Sequence, residues 1–368
     1  MEKFLLYWPF SDILPIHYRK EQGGLYRSFE ELGFESYLLV GNNSLKDKNM
    51  KILETSNSDV SKISSYINEF KKATLALTQI NPSLLMVNNT SPILPAIIIY
   101  YKLFLRLKKR NLQKPKLILE LDIDPTNLIR KSTMFKFPYI LVTLLNSILF
   151  DVVVVQSTCA YNAGKKLLFQ RNKLKVVKFG YHKTDVKKDN KLLDKKTKTV
   201  LSVSRVSRDK GIDILVKAFA IAHDKFQDWD LIIVGPILER NYYNELIQLI
   251  KFSKLEHFIK IVGEVNEEQL SYYYDIASIF ASLSRKEGYP VARTEALARG
   301  IPSVISEAGC GIDLTNFGAI VVPVEDVQLS SIALKKLMQS SELRQNLRDK
   351  AKDYARDWNY VASELMHI

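Results

Sequence analysis

The sequence predicts an α/β protein built from two doubly wound parallel-sheet lobes that face each other across a cleft. Three observations predict this class: the length of 368 residues, the alternation of short β-rich runs with longer helical stretches, and a charged break near the middle of the chain. At about 150 residues per domain, the length suffices for two compact units. With 46% hydrophobic and 25% charged residues, the chain is expected to fold around a substantial core.

The first lobe is predicted to cover residues 1–185. Its strands are short apolar runs with helical segments between them. They are expected over residues 4–7, 36–40, 84–87, 116–121 and 152–156. Residues 186–198 (VKKDNKLLDKKTK) are charged and lack strong periodicity, which is typical of a linker between lobes.

The second lobe is predicted to cover residues 199–345 as one doubly wound domain. Residues 346–368 are helical in period and are expected to pack back on the first lobe. Ligands of open α/β sheets bind beyond the carboxyl ends of the strands, so the cleft is the expected site. Strands are predicted over 199–203, 230–234, 258–262, 279–282, 303–305 and 319–322, and helices over 212–225, 242–252, 267–275 and 291–298.

The net charge of +13 is concentrated in the first lobe. Residues 1–185 carry 27 Lys and Arg against 15 Asp and Glu, residues 186–198 carry 6 against 2, and residues 199–368 carry 20 against 23. This asymmetry indicates either a lobe that faces a polyanion or ordinary surface lysine. A membrane surface is favoured over nucleic acid, because the aromatic residues fit helix faces and core positions better than base stacking.

Two apolar runs, over residues 93–101 and 137–150, bear on where the protein works. Both are shorter than the ~18 to 20 residues that a membrane-spanning helix needs. Basic residues flank both runs, a combination that suits a helix lying on anionic lipid, and a buried helix of an α/β domain is the alternative. Because no secretory signal is visible, we expect a cytoplasmic protein that binds the inner face of the cell membrane.

Several other classes of site are disfavoured. Cys159 and Cys310 are far apart and form no C-x-x-C pair, and the five histidines have no metal-ligand spacing. The chain also lacks a P-loop and a G-x-G-x-x-G motif after its first strand, which removes kinases and dehydrogenases from consideration. A disulfide framework, a zinc site and a dinucleotide cofactor are therefore not expected.

Residues 284–302 contain the strongest candidate site. A strand ends, a Gly/Pro turn follows and a helix opens near Val291, so free helix N–H groups favour a phosphate. Gly288 lets a ligand approach the main chain closely. Glu287 can reach a sugar hydroxyl or a developing positive charge, and Glu295, one turn into the helix, can accept both hydroxyls of a ribose. Standing alone, these two would be solvated surface acids.

Arg205 and Lys210 form a second candidate feature. They lie between the end of a predicted strand and the start of a predicted helix, which is where two cations could bind a diphosphate. The arginine would offer a planar guanidinium with paired N–H groups, and the lysine a single point charge. Two exposed cations near a turn are the alternative, and Arg208 is a substitute for either. In the first lobe, Gly23-Gly24 at a helix start permits close approach of a phosphate or acceptor.

These motifs together resemble those of retaining glycosyltransferase family 4, the glycosyl transferases group 1. The resemblance covers the whole second lobe and most of the first. The matching residues are Glu287 and Glu295 at the ends of a Glu-x7-Glu signature, Gly288-Tyr289-Pro290, Arg205 with Lys210-Gly211, Gly300-Ile301-Pro302, Gly309-Cys310-Gly311 and Gly23-Gly24.

The resemblance implies a GT-B type fold and transfer of a hexose, with retention, from a UDP-, GDP- or ADP-sugar to a saccharide or lipid-linked saccharide acceptor. It implies no metal and no further cofactor. Arg205 and Lys210 would stabilise the departing diphosphate, while Glu287 would position the sugar. The residues assigned to donor binding are Glu295, Gly24, Gly288, Tyr289, Val291 and Gly263.

The end of the predicted strand over 116–121 carries Asp122-Ile-Asp124. In metal-dependent glycosyltransferases of another architecture, such a pair holds a divalent cation. Here it is taken as coincidental, because the chain has a cationic clamp instead. Many family members place a His or an acidic residue at this strand end, so Asp122 is expected to face the acceptor and is included among the catalytic candidates. The departure from His leaves the catalytic contribution of the first lobe open.

Two alternative functions stay open. A nucleotide-sugar 2-epimerase shares the two-lobe plan and would release an epimerised sugar nucleotide with no acceptor present. A catalytically silent homologue would act as a binding subunit of a polysaccharide assembly complex. The intact Glu287 and Glu295 argue against the silent homologue, and surface polysaccharide or glycolipid biosynthesis is the expected setting.

Overall fold

The structure is a computed structural model. It describes residues 1–13, 21–44, 49–55, 63–88, 91–108, 114–121, 137–166, 172–178, 180–181, 197–288, 291–309, 311–351, 354 and 356–368. The chain forms two compact units, one made of Met1–Gly180 with Arg356–Ile368 and the other of Tyr181–Ala355. Most of the predicted linker over 186–198 lies outside the described residues.

Each unit contains a parallel β-sheet, as predicted. The strands are β1 Lys3–Tyr7, β2 Glu35–Val40, β3 Ile52–Glu54, β4 Leu84–Asn88, β5 Lys116–Leu121, β6 Val152–Val155, β7 Leu174–Val176, β8 Thr199–Val203, β9 Asp230–Val234, β10 Ile259–Gly263, β11 Ile279–Ser282, β12 Ser303–Ser306 and β13 Ala319–Val322.

Helices cover the sheets on the described part of the chain. They are α1 Glu21–Glu31, α2 Ile63–Ile80, α3 Leu94–Leu107, α4 Phe137–Leu149, α5 Thr158–Lys166, α6 Ile212–His223, α7 Arg240–Phe252, α8 Glu267–Ile276, α9 Val291–Ala298, α10 Val327–Gln339, α11 Ser341–Ala351 and α12 Trp358–His367.

In the first unit the described strands run in the order β3-β2-β1-β4-β5-β6-β7. The central strands are apolar without alternation, as in VVVV of β6, because helices bury both faces of a parallel sheet. Every strand predicted in this lobe is present. The edge strands β3 and β7 were not predicted, since each has only three residues and β7 carries a lysine in the middle.

The last helix, α12, belongs to the first unit and packs on α1. The contact depends on Gly24, where an added Cβ would lie 2.5 Å from the indole of Trp358. Helix α11 belongs to the second unit, so the part of the chain that returns to the first unit begins at Arg356 and not at residue 346.

In the second unit the strands run in the order β10-β9-β8-β11-β12-β13. The chain extends the sheet outward from β8 to β10 and then crosses to the other side of β8 to form β11. The predicted strands and helices of this unit are all present, with ends displaced by one or two residues. Helices α6 and α10 pack together over one core, around Trp229 and Phe219.

The two apolar runs form helices with one buried and one exposed side. Residues 93–101 lie at the start of α3, and 137–150 form α4. On the chain as described, no helix is both long enough and apolar enough to span a bilayer.

Candidate functional site

The second sheet has its topological switch point between β8 and β11. These neighbouring strands are parallel, with Val200 paired to Ile279 and Leu201 to Phe280. Their following loops leave in opposite directions from the same edge, which opens a crevice where ligands bind in such folds. The loop after β8 carries Arg205 and Lys210, and the loop after β11 carries Glu287.

A glycine brings these two loops into contact. After β8 the chain forms a 3₁₀ turn over Arg208–Lys210, which ends at Gly211 in the left-handed conformation with φ 60°. A Cβ at Gly211 would overlap the carbonyl oxygen of Leu283, just beyond β11. Glycine is therefore required on two grounds, backbone conformation and close approach. The result is that Lys210 lies against the loop that carries Glu287.

Lys210 and Glu287 form a well-shielded ion pair. The Lys210 Nζ lies 2.8 Å from Glu287 Oε2, and the side chains are only 13% and 8% exposed. The other carboxylate oxygen, Oε1, accepts a hydrogen bond of 2.6 Å from the hydroxyl of Ser284. Charge-assisted hydrogen bonds to both oxygens fix the orientation of the Glu287 carboxylate.

The loop after β12 closes on Glu287 from another side. Gly309 has φ +68°, and an added Cβ there would lie 2.7 Å from the Cβ of Glu287 and 2.9 Å from the carbonyl oxygen of Gly288. This glycine belongs to the Gly-rich step noted in the sequence. Its lack of a side chain lets three loops converge around one carboxylate.

Arg205 lies next to this pair, with its side chain 54% exposed. The Arg205 Nη2 is 3.6 Å from Asp209 Oδ2, and the Lys210 Nζ is 3.8 Å from the same oxygen. The structure thus brings Arg205, Lys210 and Glu287 together. Arg208 is directed elsewhere: its Nη2 pairs with Glu245 at 2.6 Å, so its guanidinium is already engaged away from the predicted clamp.

Arg285 joins the two loops and was not recognised from the sequence. Its guanidinium donates two hydrogen bonds of 2.8 Å to the carboxylate of Asp213 and one of 2.8 Å to the carbonyl oxygen of Arg208. Its backbone N–H donates to the carbonyl oxygen of Asp209, and its Nε lies 2.6 Å from Glu325 Oε1. Arg285 therefore fastens the turn that carries Lys210 to the loop that carries Glu287.

The hydrogen bonds between Arg285 and Asp213 shift the pKa values of both groups. Burial opposes ionisation of Asp213, but hydrogen bonds from Arg285 and Tyr242 outweigh it and lower the pKa of Asp213 to about 2. Hydrogen bonding to Asp213, partly offset by burial, raises the pKa of Arg285. Both groups are therefore charged over the whole physiological range.

Arg293 in α9 is a second residue whose role the sequence did not reveal. The side chain is fully buried. Its guanidinium donates to the hydroxyl and carbonyl oxygens of Ser282 and of Ser306, at 3.0 to 3.2 Å, and to the carbonyl oxygen of Ala308 at 2.8 Å. It thereby ties the ends of β11 and β12 to the loop that contains Gly309. The only signal in the sequence was an arginine near the start of a mostly apolar helix.

The donor-binding candidates of the second unit are distributed around this centre. Glu295 lies on α9 and accepts a hydrogen bond of 2.8 Å from the hydroxyl of Tyr274. Val291 is the first residue of the same helix. Gly263 ends β10 with φ +87° and has open space where a Cβ would lie, so its backbone conformation favours glycine. Tyr289 lies outside the described residues.

The first unit contributes fewer described candidates. The Cβ space of Gly24 is filled by Trp358, so packing explains this glycine, and its assignment to donor binding stays a prediction. Asp122 lies outside the described residues. The preceding Glu120 is buried in β5, where its Oε1 accepts a hydrogen bond of 2.5 Å from the amide of Gln156.

Among the residues described, no group of three or more His, Cys, Asp or Glu side chains is placed to hold a metal ion. The pair Asp122 and Asp124 is not covered by this statement. Metal independence therefore stays a prediction.

Two doubly wound parallel-sheet units in one chain define a protein of the GT-B fold class. Residues 183–354 match the family model for "Glycosyl transferases group 1", and this part of the chain belongs to that family. This match confirms the glycosyl transferases group 1 part of the resemblance inferred from the motifs, while family 4 and the retaining mechanism stay predictions.

A solved structure and two curated relatives illustrate the similarity. The structure of Anabaena Alr3699/HepE in complex with UDP and glucose aligns with a TM-score of 0.74 at 16% identity, covering 100% of this chain and 99% of that chain. An uncharacterized glycosyltransferase of Haemophilus influenzae is 34% identical over 123 residues, 33% of this chain and 33% of the relative. Amylovoran biosynthesis glycosyltransferase AmsD of Erwinia amylovora is 27% identical over 179 residues, 48% and 49%.

These similarities differ in what they establish. At 16% identity, the structural likeness shows the fold alone. The matches to the two relatives cover between a third and a half of the relatives' own lengths. They agree with the family match and leave the activity of the whole chain to be argued from its site.

Proposed function

We propose that the protein is a retaining hexosyltransferase that moves a sugar from a nucleotide diphosphate sugar to a hydroxyl of a saccharide acceptor. One observation carries the proposal: Arg205, Lys210 and Glu287 meet at the switch point of the second sheet, where two cations and one oriented carboxylate lie in loops of different strands. This combination suits a reaction that expels an anionic leaving group while holding an uncharged sugar.

Arg205 and Lys210 serve the leaving group. A departing nucleoside diphosphate carries two or three negative charges, which fixed cations and backbone amides neutralise. The ammonium of Lys210 has three N–H groups and uses one toward Glu287, so two remain for phosphate oxygens. The half-exposed Arg205 is free to turn toward the diphosphate as a planar fork.

Glu287 and Glu295 serve the sugar and the ribose. The Glu287 carboxylate is fixed by Lys210 and Ser284, and a preorganised carboxylate orients sugar hydroxyls or stabilises developing positive charge at the anomeric carbon. Glu295, oriented by Tyr274, accepts hydrogen bonds from the ribose diol. Val291, Gly288 and Gly263 supply backbone close to the donor.

The chemical step follows from these roles and from the family resemblance. The bond between the anomeric carbon and the phosphate oxygen breaks, and its electron pair leaves with the diphosphate. The acceptor oxygen bonds to the anomeric carbon from the same face, and its proton passes to the leaving phosphate oxygen. No side-chain base, metal or further cofactor takes part in this proposal, and Asp122 is assigned to the acceptor side.

The acceptor and the location form the finer part of the proposal. The AmsD relative is named for amylovoran biosynthesis, and the CapM relative of Staphylococcus aureus is named for capsular polysaccharide biosynthesis. The positive charge of residues 1–185 suits a membrane surface that contains anionic lipids. We therefore place the enzyme in the cytoplasm on the inner face of the cell membrane, acting on a lipid-linked saccharide in surface polysaccharide or glycolipid biosynthesis.

A donor screen tests the proposal directly. Thermal unfolding is measured with UDP-, GDP- and ADP-sugars in turn, since a ligand at 100 times its dissociation constant adds about 2.7 kcal/mol of stability. With the identified donor and a panel of lipid-linked saccharides, NMR of the product reports the anomeric configuration. Stabilisation by one donor class and a product that keeps the anomeric configuration are expected.

Three results would contradict the proposal. An inverted anomeric configuration would exclude the retaining mechanism. Release of an epimerised sugar nucleotide in the absence of acceptor would favour a 2-epimerase. Donor binding with neither transfer nor epimerisation over the acceptor panel would favour a silent binding subunit.

A further inference from the structure

We propose that the outer face of α3 and α4 is the surface that docks the protein on an anionic lipid bilayer. This α3–α4 face consists of Ile99, Tyr100, Leu103, Leu107, Leu141, Leu145 and Ile148. The inference deepens the membrane location proposed above and rests on it. It adds which side of the first unit contacts the lipid and which side chains enter it.

The exposed apolar side chains form two stripes. On α3, Ile99, Leu103 and Leu107 recur at helical spacing, and on α4, Leu141, Leu145 and Ile148 do the same. The two helices pack against each other, so the stripes lie on neighbouring elements of one layer. The seven side chains are between 40% and 83% exposed. Contiguous apolar surface of this kind marks a site of interaction on a folded protein.

Helix α4 has the opposite polarity to a water-facing helix. It buries Asn146 and Ser147 almost completely, while Leu145 and Ile148, on either side of them in sequence, are exposed. The Ser147 hydroxyl is satisfied within the helix by the carbonyl oxygen of Leu144 at 2.7 Å. A helix on the surface of a water-soluble protein turns its apolar side inward. The described part of α4 turns apolar side chains outward, as expected for a helix whose outer environment is lipid.

The positive charge around the α3–α4 face favours a membrane that contains anionic lipids. Neither α3 nor α4 contains Asp or Glu, whereas α3 contains Lys102 and Arg106 and is followed by Lys108. Arg106 and Lys108 are exposed beside the stripes. Lysine and arginine next to an apolar face place their charges at the level of lipid phosphates while their stems cover apolar surface.

Lys102 and one further lysine, Lys173, strengthen the positive potential at the end of α4. Lys102 Nζ donates to the carbonyl oxygen of Leu149 at 2.5 Å, and Lys173 Nζ donates to those of Ile148 and Phe150 at 3.2 and 2.8 Å. Burial, and then the positive charges of Lys173 and Arg106, lower the pKa of Lys102, although Asp151 opposes them. Anionic headgroups would relieve this crowding of positive charge.

The same features argue against other occupants. A second copy of the chain packed on this face would bring two sets of cations together, which disfavours association. A nucleic acid would match the cations but not the leucines and isoleucines between them. Only a surface that is apolar inside and anionic at its boundary matches both.

Vesicle flotation of the full chain tests the docking face. The vesicles contain phosphatidylcholine alone or equal parts of phosphatidylcholine and phosphatidylglycerol, and each is used at low and at high salt. The double variant Leu103→Glu/Leu145→Glu places two carboxylates on the α3–α4 face. The matched control is Leu329→Glu/Ile332→Glu on α10 of the second unit, where both side chains are 45% exposed, with the same change in charge.

We expect wild type and the control to float with the anionic vesicles at low salt. The face variant should lose about tenfold in recovered protein, because two carboxylates replace apolar contacts and repel the lipid. Each variant is also titrated with nucleotide in a thermal-shift assay, which reports the donor site independently of lipid. An unchanged nucleotide shift with lost flotation supports the docking face, whatever the outcome of the transfer assays.

A second measurement does not depend on the stability of the glutamate variants. Leu103→Trp is compared with Leu329→Trp for quenching of fluorescence by brominated lipid in the anionic vesicles. Quenching specific to position 103 supports insertion of this face. Equal flotation of the face variant and wild type, equal quenching at the two positions, or a wild-type dimer in solution that the face variant dissociates would overturn the proposal.

Discussion

Arg285 donates two parallel hydrogen bonds of 2.8 Å to Asp213, from Nη1 to Oδ1 and from Nη2 to Oδ2. The pair joins the loop after β11 to α6, and Arg285 also holds the carbonyl oxygen of Arg208. The position of Lys210 relative to Glu287 therefore depends on a neighbouring bidentate pair that touches neither of them. Arg285 is therefore a positioning residue, which holds Lys210 and Glu287 in place without contacting either side chain.

Arg285→Lys should separate the positioning role of Arg285 from its charge. Lysine keeps the positive charge but cannot reproduce the two parallel hydrogen bonds, so we expect a loss of about 1 to 3 kcal/mol in unfolding free energy and weaker diphosphate binding. Glu325→Gln removes the exposed partner of Arg285 and should cost less than about 1 kcal/mol. Urea unfolding and calorimetric titration with nucleoside diphosphate check both, and equal effects of the two variants would contradict the positioning role.

Lys210→Met should reduce affinity for the diphosphate and leave affinity for the nucleoside almost unchanged. The substitution removes a fixed cation from a shielded site, and a loss of about 10- to 100-fold in affinity is expected for a charge-assisted contact. Titration with nucleoside diphosphate and with nucleoside measures the difference. Arg208→Met is the matched control, because the Arg208 guanidinium pairs with Glu245. An equal loss in the control would place the clamp elsewhere.

Glu287→Gln should abolish transfer while nucleotide binding stays close to that of wild type. The amide keeps the shape and a hydrogen bond to Ser284 but loses the negative charge that we propose faces the sugar, and we expect a fall of about 100-fold or more in kcat. Initial rates and nucleotide titration on the same preparation check this. If nucleotide affinity falls in parallel with the rate, Glu287 contributes to donor binding and its proposed role is wrong.

Asp213 should make the protein more stable above pH 4 than at lower pH. Its folded pKa of about 2 lies below the ordinary value near 4, so its contribution is present above about pH 4 and is lost as the pH falls toward 2. A shift of this size corresponds to about 2 kcal/mol. Urea unfolding of wild type and Asp213→Asn at several pH values should show a difference that narrows on acidification.

The matched control for this pH series is Asp228→Asn, which removes an exposed pair with Lys198. Exposed pairs contribute little, so its difference from wild type should be small at every pH. A gap between wild type and Asp213→Asn that stays constant from pH 7 to pH 2 would contradict the assigned ionisation.

Gly24→Ala should destabilise the first unit by about 1 to 3 kcal/mol, because the new methyl group overlaps the indole of Trp358. Combining it with Trp358→Ala should cost less than the sum of the two single changes, since the smaller side chain makes room. Urea unfolding of wild type, the two single variants and the double variant gives the four free energies of unfolding that this comparison needs. Additive costs would mean that the two positions do not share this space.

The sequence was sufficient to predict the sheets and the proximity of three residues of the candidate site. Arg205, Lys210 and Glu287 follow strands that flank a switch point, and parallel strands end at a common edge, so their proximity follows from topology. The positions of Arg285 and Arg293 could not be predicted, because their partners lie in other helices, strands and loops and four of them are backbone carbonyl oxygens. Nothing in the sequence of residues 137–150 indicated which side of the helix is buried.

Gly24 illustrates the same limit. A glycine pair at the start of a helix suggested close approach of a ligand, and the group that occupies the space is Trp358, from the distant helix α12. Contacts between distant parts of a chain decide such positions, and a single sequence does not reveal them.

The return of Arg356–Ile368 to the first unit has a consequence for biosynthesis. A ribosome completes the second unit while the first still lacks the tryptophan that covers Gly24. The first unit therefore stays incomplete until α12 has been translated. A stop codon within the second unit would therefore also remove part of the core of the first unit.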